Sequence, residues 1–260
     1  MEPLKPIFPT ALHKDTAEIV QDYFCKTPGV DTVLCVNSCA RGQASPESDL
    51  DFTVLVQENT SNTEIEAICE KWLSYMSAHP VISKYKSSSR FAHLHLDIIN
   101  GIYQPLTVEP GEPIDNFEIE IGNQICYSAP MDYPGEYFEK LRQKWLPYYN
   151  EEMRLQRLKQ LMEVCFYDLD HIAYYKKRSL HFHALYILNK AFQEYLQALF
   201  ISGKIYPIAY NKWIRYQVID LLKKPELFPQ LAHILSIGDI ESDEINDKVK
   251  MLYGLLNDLC

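Results

Sequence analysis

Leu50, Phe52, Val54 and Val56 fall on one side of an alternating run, with Asp49 and Asp51 on the other. A period of two is the signature of an extended strand with one buried face. The apolar run Val33–Val36 predicts a strand just before it, and a turn carrying Ser38, Arg41 and Gly42 joins the two. A third strand is predicted within Arg90–Ile99. There Ala92, Leu94, Leu96 and Ile98 share one face, and His93, His95, Asp97 and Ile99 share the other. Helical spacing appears over Asp15–Phe24, with Asp15 or Thr16 as cap, and over Thr63–Met76, with Thr63 as cap and His79-Pro80 as its end. Residues 101–135 are rich in Pro, Gly and acidic groups; they predict a strand or two and a long loop, with turn chemistry over Pro105–Pro113.

From about Gly135 onward the apolar period changes to three or four. Leu155, Leu158, Leu161, Cys165, Leu169 and Ile172 mark one helix, and Phe182, Leu185, Leu188, Phe192, Leu196 and Leu199 a second that Gly203 stops. Asn211 is placed to cap a third helix running to Lys224, and Asp239 a last one running towards Leu259. Such stripes cannot be buried by isolated helices. The predicted class is α+β: a small mixed β-sheet domain over 1–140, then an α-helical bundle over 141–260.

Composition narrows the class of function. The chain has 260 residues, 47% hydrophobic and 23% charged, ordinary for a soluble globular protein with one large or two small domains. No apolar run approaches the roughly 20 residues of a membrane helix. The start, Met1 to Pro6, has no charged-then-apolar leader, so no membrane partner and a cytoplasmic location are expected. Seven scattered cysteines without a Cys-x-x-Cys pair argue against a disulfide framework or a structural zinc site; most are expected to be buried thiols. The net charge of −10 lacks the basic stripe that grips long nucleic acid and suits a small cationic partner instead. Nothing in the pattern excludes a homo-oligomer.

The chemistry concentrates around Asp49 and Asp51. Residues two apart on a strand project together, and paired carboxylates repel unless a cation sits between them. A hard divalent ion such as Mg²⁺ takes oxygen ligands and commonly binds substrate phosphates as well. The preceding turn offers backbone N–H groups and the Ser38 hydroxyl to those phosphates. A solvated strand end is the ordinary explanation of Asp-x-Asp by itself; the turn at this distance favours the metal.

Ser38, Arg41-Gly42 and Ser48-Asp49-Leu50-Asp51 together resemble the motif of the nucleotidyltransferase superfamily that includes DNA polymerase β and the antibiotic nucleotidyltransferases. That motif is a Gly-Ser turn, often followed by Arg-Gly, with an Asp-x-Asp at a strand start about a dozen residues later. Asn37 stands where the family usually has Gly, and Asn tolerates positive φ better than most residues. The helical half adds a shorter likeness over Ala198–Trp213, to bacterial members with a helical C-terminal domain.

The resemblance implies a nucleotidyltransferase that moves a nucleoside monophosphate, AMP from ATP being the first expectation, to a hydroxyl of a small acceptor. An aminoglycoside-like or lincosamide-like compound fits the acidity. It implies two Mg²⁺ ions, which in many phosphoryl-transfer sites lie about 3.5–4 Å apart, with Asp49, Asp51 and Asp97 as ligands. Asp97 is either the third ligand or the base that activates the acceptor hydroxyl. Ser38, Arg41, Gly42 and Ser48 are expected at the nucleotide, joined from the helical domain by Lys212, with Lys204 and Tyr210 near it, across a cleft between the domains; a polar loop followed by a capped helix explains Lys204, Tyr210 and Lys212 equally well. A turn role for Ser48 is as good a reading.

Other readings stand beside this one. His93-x-His95-x-Asp97 is similar to the His-x-His-x-Asp-His run of metallo-β-lactamase-like hydrolases, but Ile98 replaces the closing His. His93 and His95 are therefore read as polar strand-face residues, His95 beside the acceptor. Glu163, Asp168 and Asp170 are read as a solvated helix face, or as contacts to a cationic acceptor or the base that activates it. Alternative functions are a non-catalytic nucleotide-binding or antitoxin-like partner protein, and nucleotidyl transfer to a tRNA end or a protein.

Overall fold

The computed structural model describes residues 2–259. The chain divides into two compact units, residues 1–104 with 120–146, and residues 105–119 with 147–260. A single cut near residue 140 does not describe this division, because the segment 105–119 belongs with the helical residues. The class is α+β.

The first unit is built on α1 (Ala11–Phe24), β1 (Val30–Cys35), α2 (Asn37–Ala40), β2 (Leu50–Val56), α3 (Asn62–Ala78), α4 (Pro80–Lys86) and β3 (Leu94–Ile99). The chain returns to it through the end of α5 (Phe117–Ile121), a π-helical turn over Gly122–Cys126, the two-residue β4 (Ala129–Pro130) and α6 (Glu136–Trp145). The strands form a sheet in the order β3-β2-β1-β4. Pairing is antiparallel for β1 with β2 and with β4, and parallel for β2 with β3. The predicted mixed sheet is therefore present. Ala17, Val20 and Phe24 of α1 pack with Val33, Phe52, Val54, Trp72, Ile82 and Tyr85 in its core.

Several boundaries differ from expectation for local reasons. α1 starts earlier because Thr10 is its cap: the Thr10 hydroxyl oxygen accepts from the His13 N–H at 3.3 Å. α3 is capped by Ser61, not Thr63, through a reciprocal capping box with Glu64. α6 has Gly135 at its start, and the Asp31 carboxylate accepts from the backbone N–H groups of Tyr137 and Phe138, both at 3.0 Å. A Cβ on Gly135 would collide with that carboxylate.

The second unit is a helical bundle of α7 (Glu151–Lys177), α8 (His181–Gly203), α9 (Ile214–Tyr216), α10 (Leu227–Ile234) and α11 (Glu244–Asn257). Leu161, Cys165, Leu169 and Ile172 of α7 pack against Leu188, Phe192, Leu196 and Leu199 of α8. The expected helix over 211–224 is instead the single turn of α9 followed by a π-helical turn, Gln217–Leu221. Asn211 does not cap it. The buried Gln217 side chain organises this stretch, accepting from the Ile208 N–H at 2.6 Å and donating to the carbonyls of Ala209 and Lys212 at 2.7 and 2.8 Å. The last helix begins after Asp243, while Asp239 accepts from the Glu241 N–H at 2.9 Å in the preceding turn.

Two buried ion clusters lie in this unit. Arg157 donates to Glu118 at 2.7 Å and to Asp115 at 2.8 Å, and Gln197 donates to both carboxylates at 2.8 Å. Lys190 pairs with Asp168 at 2.6 Å and with Glu194. Asp168 is thus buried in an ion cluster, not on a solvated face. Among the described cysteines, Cys35, Cys39, Cys126 and Cys165 are buried, Cys69 is half-buried and Cys25 is exposed, all as free thiols; Cys260 lies outside the described residues. No described helix is long and apolar enough to cross a membrane.

Candidate functional site

The site follows from the meeting of β1, α2, β2 and β3. At the end of β1 the chain turns at Asn37 with φ 57°, a left-handed conformation that Asn tolerates. The Val36 N–H donates to the Asp51 carbonyl at 3.0 Å, which fixes the turn beside the start of β2. From there the Asn37 side chain favours the charged form of the Asp51 carboxyl.

Asp49 and Asp51 do project together. A carboxylate oxygen from each and one imidazole nitrogen of His95 all lie within 4.8 Å of one another. The parallel register explains the third member, because Asp51 stands directly opposite His95 across β2 and β3. The His95 Nε2 lies 3.8 Å from the Asp49 Oδ2. Asp97 is opposite Thr53, two residues further along the strand, or about 6.6 Å. It is exposed and outside the three-residue cluster, although its charge reaches Asp51.

Burial pushes the Asp51 carboxyl above the usual carboxylate range, and the charges of Asp49 and Asp97 push it the same way. The Asn37 side chain and His95 oppose the shift. Two carboxylates forced together in a half-buried place favour a proton or a cation between them. The donor set, two carboxylates and one imidazole, fits a divalent cation. Ligand atoms about 2.1 Å from one ion are at most about 4.2 Å apart, so small adjustments of the Asp49 and His95 side chains suffice.

The residues around the cluster hold its backbone. Ser48, immediately before Asp49, uses its hydroxyl in the turn, where Oγ accepts from the Ser45 N–H at 2.9 Å. Its carbonyl accepts from the Tyr85 hydroxyl at 3.0 Å and lies 3.0 Å from the His13 Nε2. A carbonyl can only accept, so His13 carries its proton on Nε2. Its Nδ1 then accepts from the Thr10 hydroxyl at 2.7 Å. Burial and the nearby negative groups push the Tyr85 phenol up, so it stays a donor. His13 and Tyr85 were not legible as site residues, since their partner is a backbone carbonyl more than thirty positions away.

Arg41 is half-buried, with Nε donating to Gln43 at 3.1 Å and Nη1 to Asn123 at 3.2 Å. Gly42 has φ +67°, and a Cβ there would meet the Ile7 side chain, so backbone conformation accounts for this glycine. Ser38 is half-buried on α2. Lys212 is exposed in the second unit, its carbonyl held by Gln217. In the same unit Lys204 ends α8 and pairs with Glu151 at 2.9 Å, while Tyr210 is buried.

No protein-family model matches this chain, and no curated protein matches it. Among solved structures it is similar to a nucleotidyltransferase-like protein from Exiguobacterium sibiricum 255-15, at 11% identity and a TM-score of 0.41, over 95% of this chain and 75% of that chain.

Proposed function

We propose that this chain is a metal-dependent nucleotidyltransferase that moves a nucleoside monophosphate, AMP from ATP in the first instance, to a hydroxyl of a small acceptor such as an aminoglycoside-like compound. One observation carries the reading: ligand atoms of Asp49, Asp51 and His95 lie within 4.8 Å of one another beside the β1–α2 turn. The motif of that turn and the paired carboxylates resembles the superfamily at this place in the chain.

In the transfer, the acceptor oxygen bonds to the α-phosphorus, the bond to the bridging oxygen breaks, and pyrophosphate leaves with the electron pair. Asp49 and Asp51 would hold a divalent cation, which would supply positive charge against the charge that develops on the phosphate oxygens. Ser48, pinned by His13 and Tyr85, fixes where Asp49 can point. Arg41, steadied by Gln43 and Asn123, supplies positive charge beside the turn. Asp97, exposed on the same face of β3, accepts the proton of the attacking hydroxyl.

The test is incubation with Mg²⁺ or Mn²⁺ and each labelled triphosphate, against a panel of small hydroxylated and amino compounds, with pyrophosphate as readout. Turnover that disappears in Asp51→Asn supports the reading. Triphosphate binding without turnover on any acceptor replaces it with the non-catalytic one. Transfer to tRNA or protein alone replaces the small acceptor.

A further inference from the structure

We infer that His95, not Asp97, is the third protein ligand of the cation, giving a mixed oxygen–nitrogen set that prefers Mn²⁺ to Mg²⁺. The inference rests on the reading above only in taking Asp49 and Asp51 as ligands.

The sheet register is its basis. Asp51 and His95 are opposed residues on adjacent parallel strands, and adjacent strands lie about 4.8 Å apart. Their side chains leave the same face and meet. Asp49, one residue before β2, approaches the same imidazole, its Oδ2 3.8 Å from Nε2. Asp97 lies outside this trio, because the strand carries it a further two residues along and opposite Thr53. Thr53 is buried and offers no acidic partner.

Ligand chemistry then separates the cations. Mg²⁺ is a hard ion that prefers an all-oxygen octahedron and retains its waters. Imidazole nitrogen binds first-row transition metals better, and affinity for a nitrogen-containing site rises from Mn²⁺ onward through the series. Carboxylates suit Mn²⁺ as well, so two carboxylates and one imidazole match it on both counts. Asp97, free of the metal, is left to face the acceptor.

Mn²⁺ alone is the probe. Its electron paramagnetic resonance reports free ion, and pulsed measurements report a ¹⁴N coupling when an imidazole is bound. Wild-type protein should show that coupling and bind Mn²⁺ more tightly than Mg²⁺ in competition. His95→Gln should lose the coupling, weaken Mn²⁺ binding by about tenfold or more and narrow the gap to Mg²⁺. Asp97→Asn should keep both the coupling and the affinity. His95 and Asp97 are both exposed, so neither change threatens folding, and circular dichroism verifies that. Absence of ¹⁴N coupling in wild type, or loss of Mn²⁺ binding in Asp97→Asn with His95→Gln unaffected, overturns the inference. The readout is independent of turnover: coupling without pyrophosphate release removes the proposed function alone, and release without coupling removes His95 alone.

Discussion

Asn37 stands beside Asp51 in a left-handed turn: its φ is 57°, and its side chain favours the charged form of the Asp51 carboxyl. The residue combines two functions that glycine cannot. It accepts the backbone geometry, and it opposes the burial that drives Asp51 towards its neutral form. The two parts separate by substitution. Asn37→Gly keeps the geometry and removes the amide, whereas Asn37→Ala removes both. Asn37→Ala should be less stable than Asn37→Gly by about 1–2 kcal/mol in urea titration, while both weaken Mn²⁺ binding equally. Equal stabilities would mean that the turn carries no backbone strain.

Asp51 carries a pH signature. Its folded carboxyl is raised above its ordinary value of 3.8, mainly by burial and then by Asp49. A carboxyl raised on folding contributes stability that is present below the ordinary value and lost as pH rises through the folded one. At neutral pH the ionised group therefore costs stability. Asp51→Asn should melt higher than wild type at pH 7, and the gap should close on acidification towards pH 4. A divalent cation reverses the order. At about a hundredfold excess over its Kd it adds about 2.7 kcal/mol to the protein that binds it, and nothing to Asp51→Asn. A wild type that melts at the same temperature with and without Mn²⁺ would refute the site.

What the sequence reveals and what it hides divide along one line. Elements that bury a face through their own periodicity were legible: β2 from its alternation, and α7 and α8 from their apolar spacing. So was the left-handed tolerance required at residue 37. What depends on pairing across long separations was not. His95 joins Asp49 and Asp51 only because β3 lies parallel to β2 in one register, and a shift of one residue would turn it to the other face. Likewise 101–135 reads as a strand or two and a long loop, yet Asp115 and Glu118 within it are buried on Arg157, about forty positions away. A lone acidic residue carries no local mark of a distant cation.

That arginine has a measurable weight. Arg157 is the cation between Asp115 and Glu118, and Tyr149 adds a 2.8 Å donor to Glu118. Removing one member of a buried ion cluster leaves the others desolvated and unpaired, which costs about 3–5 kcal/mol. Arg157→Met should lose that much stability in urea titration. Adding Asp115→Asn and Glu118→Gln should recover part of it, since the charges left behind are the source of the cost. A triple variant no more stable than Arg157→Met would assign the loss to packing instead.

Glu194 offers the second titration and the opposite end of the scale. It is fully buried on α8, within reach of Lys190, which also binds Asp168. Burial pushes its carboxyl up to about 7, against the pull of Lys190, and Asp168 adds to the rise. The folded value thus exceeds the ordinary 4.5. Stability from this group is complete below pH 4.5 and is lost as pH rises through about 7. Glu194→Gln keeps the shape and removes the titration, while Lys190 retains Asp168 as its partner. The stability of wild type relative to Glu194→Gln should therefore fall between pH 4.5 and pH 8, as read from urea midpoints at fixed ionic strength. A difference that does not vary with pH over this range would show that Glu194 keeps one protonation state throughout, held ionised by Lys190 against the cost of its burial.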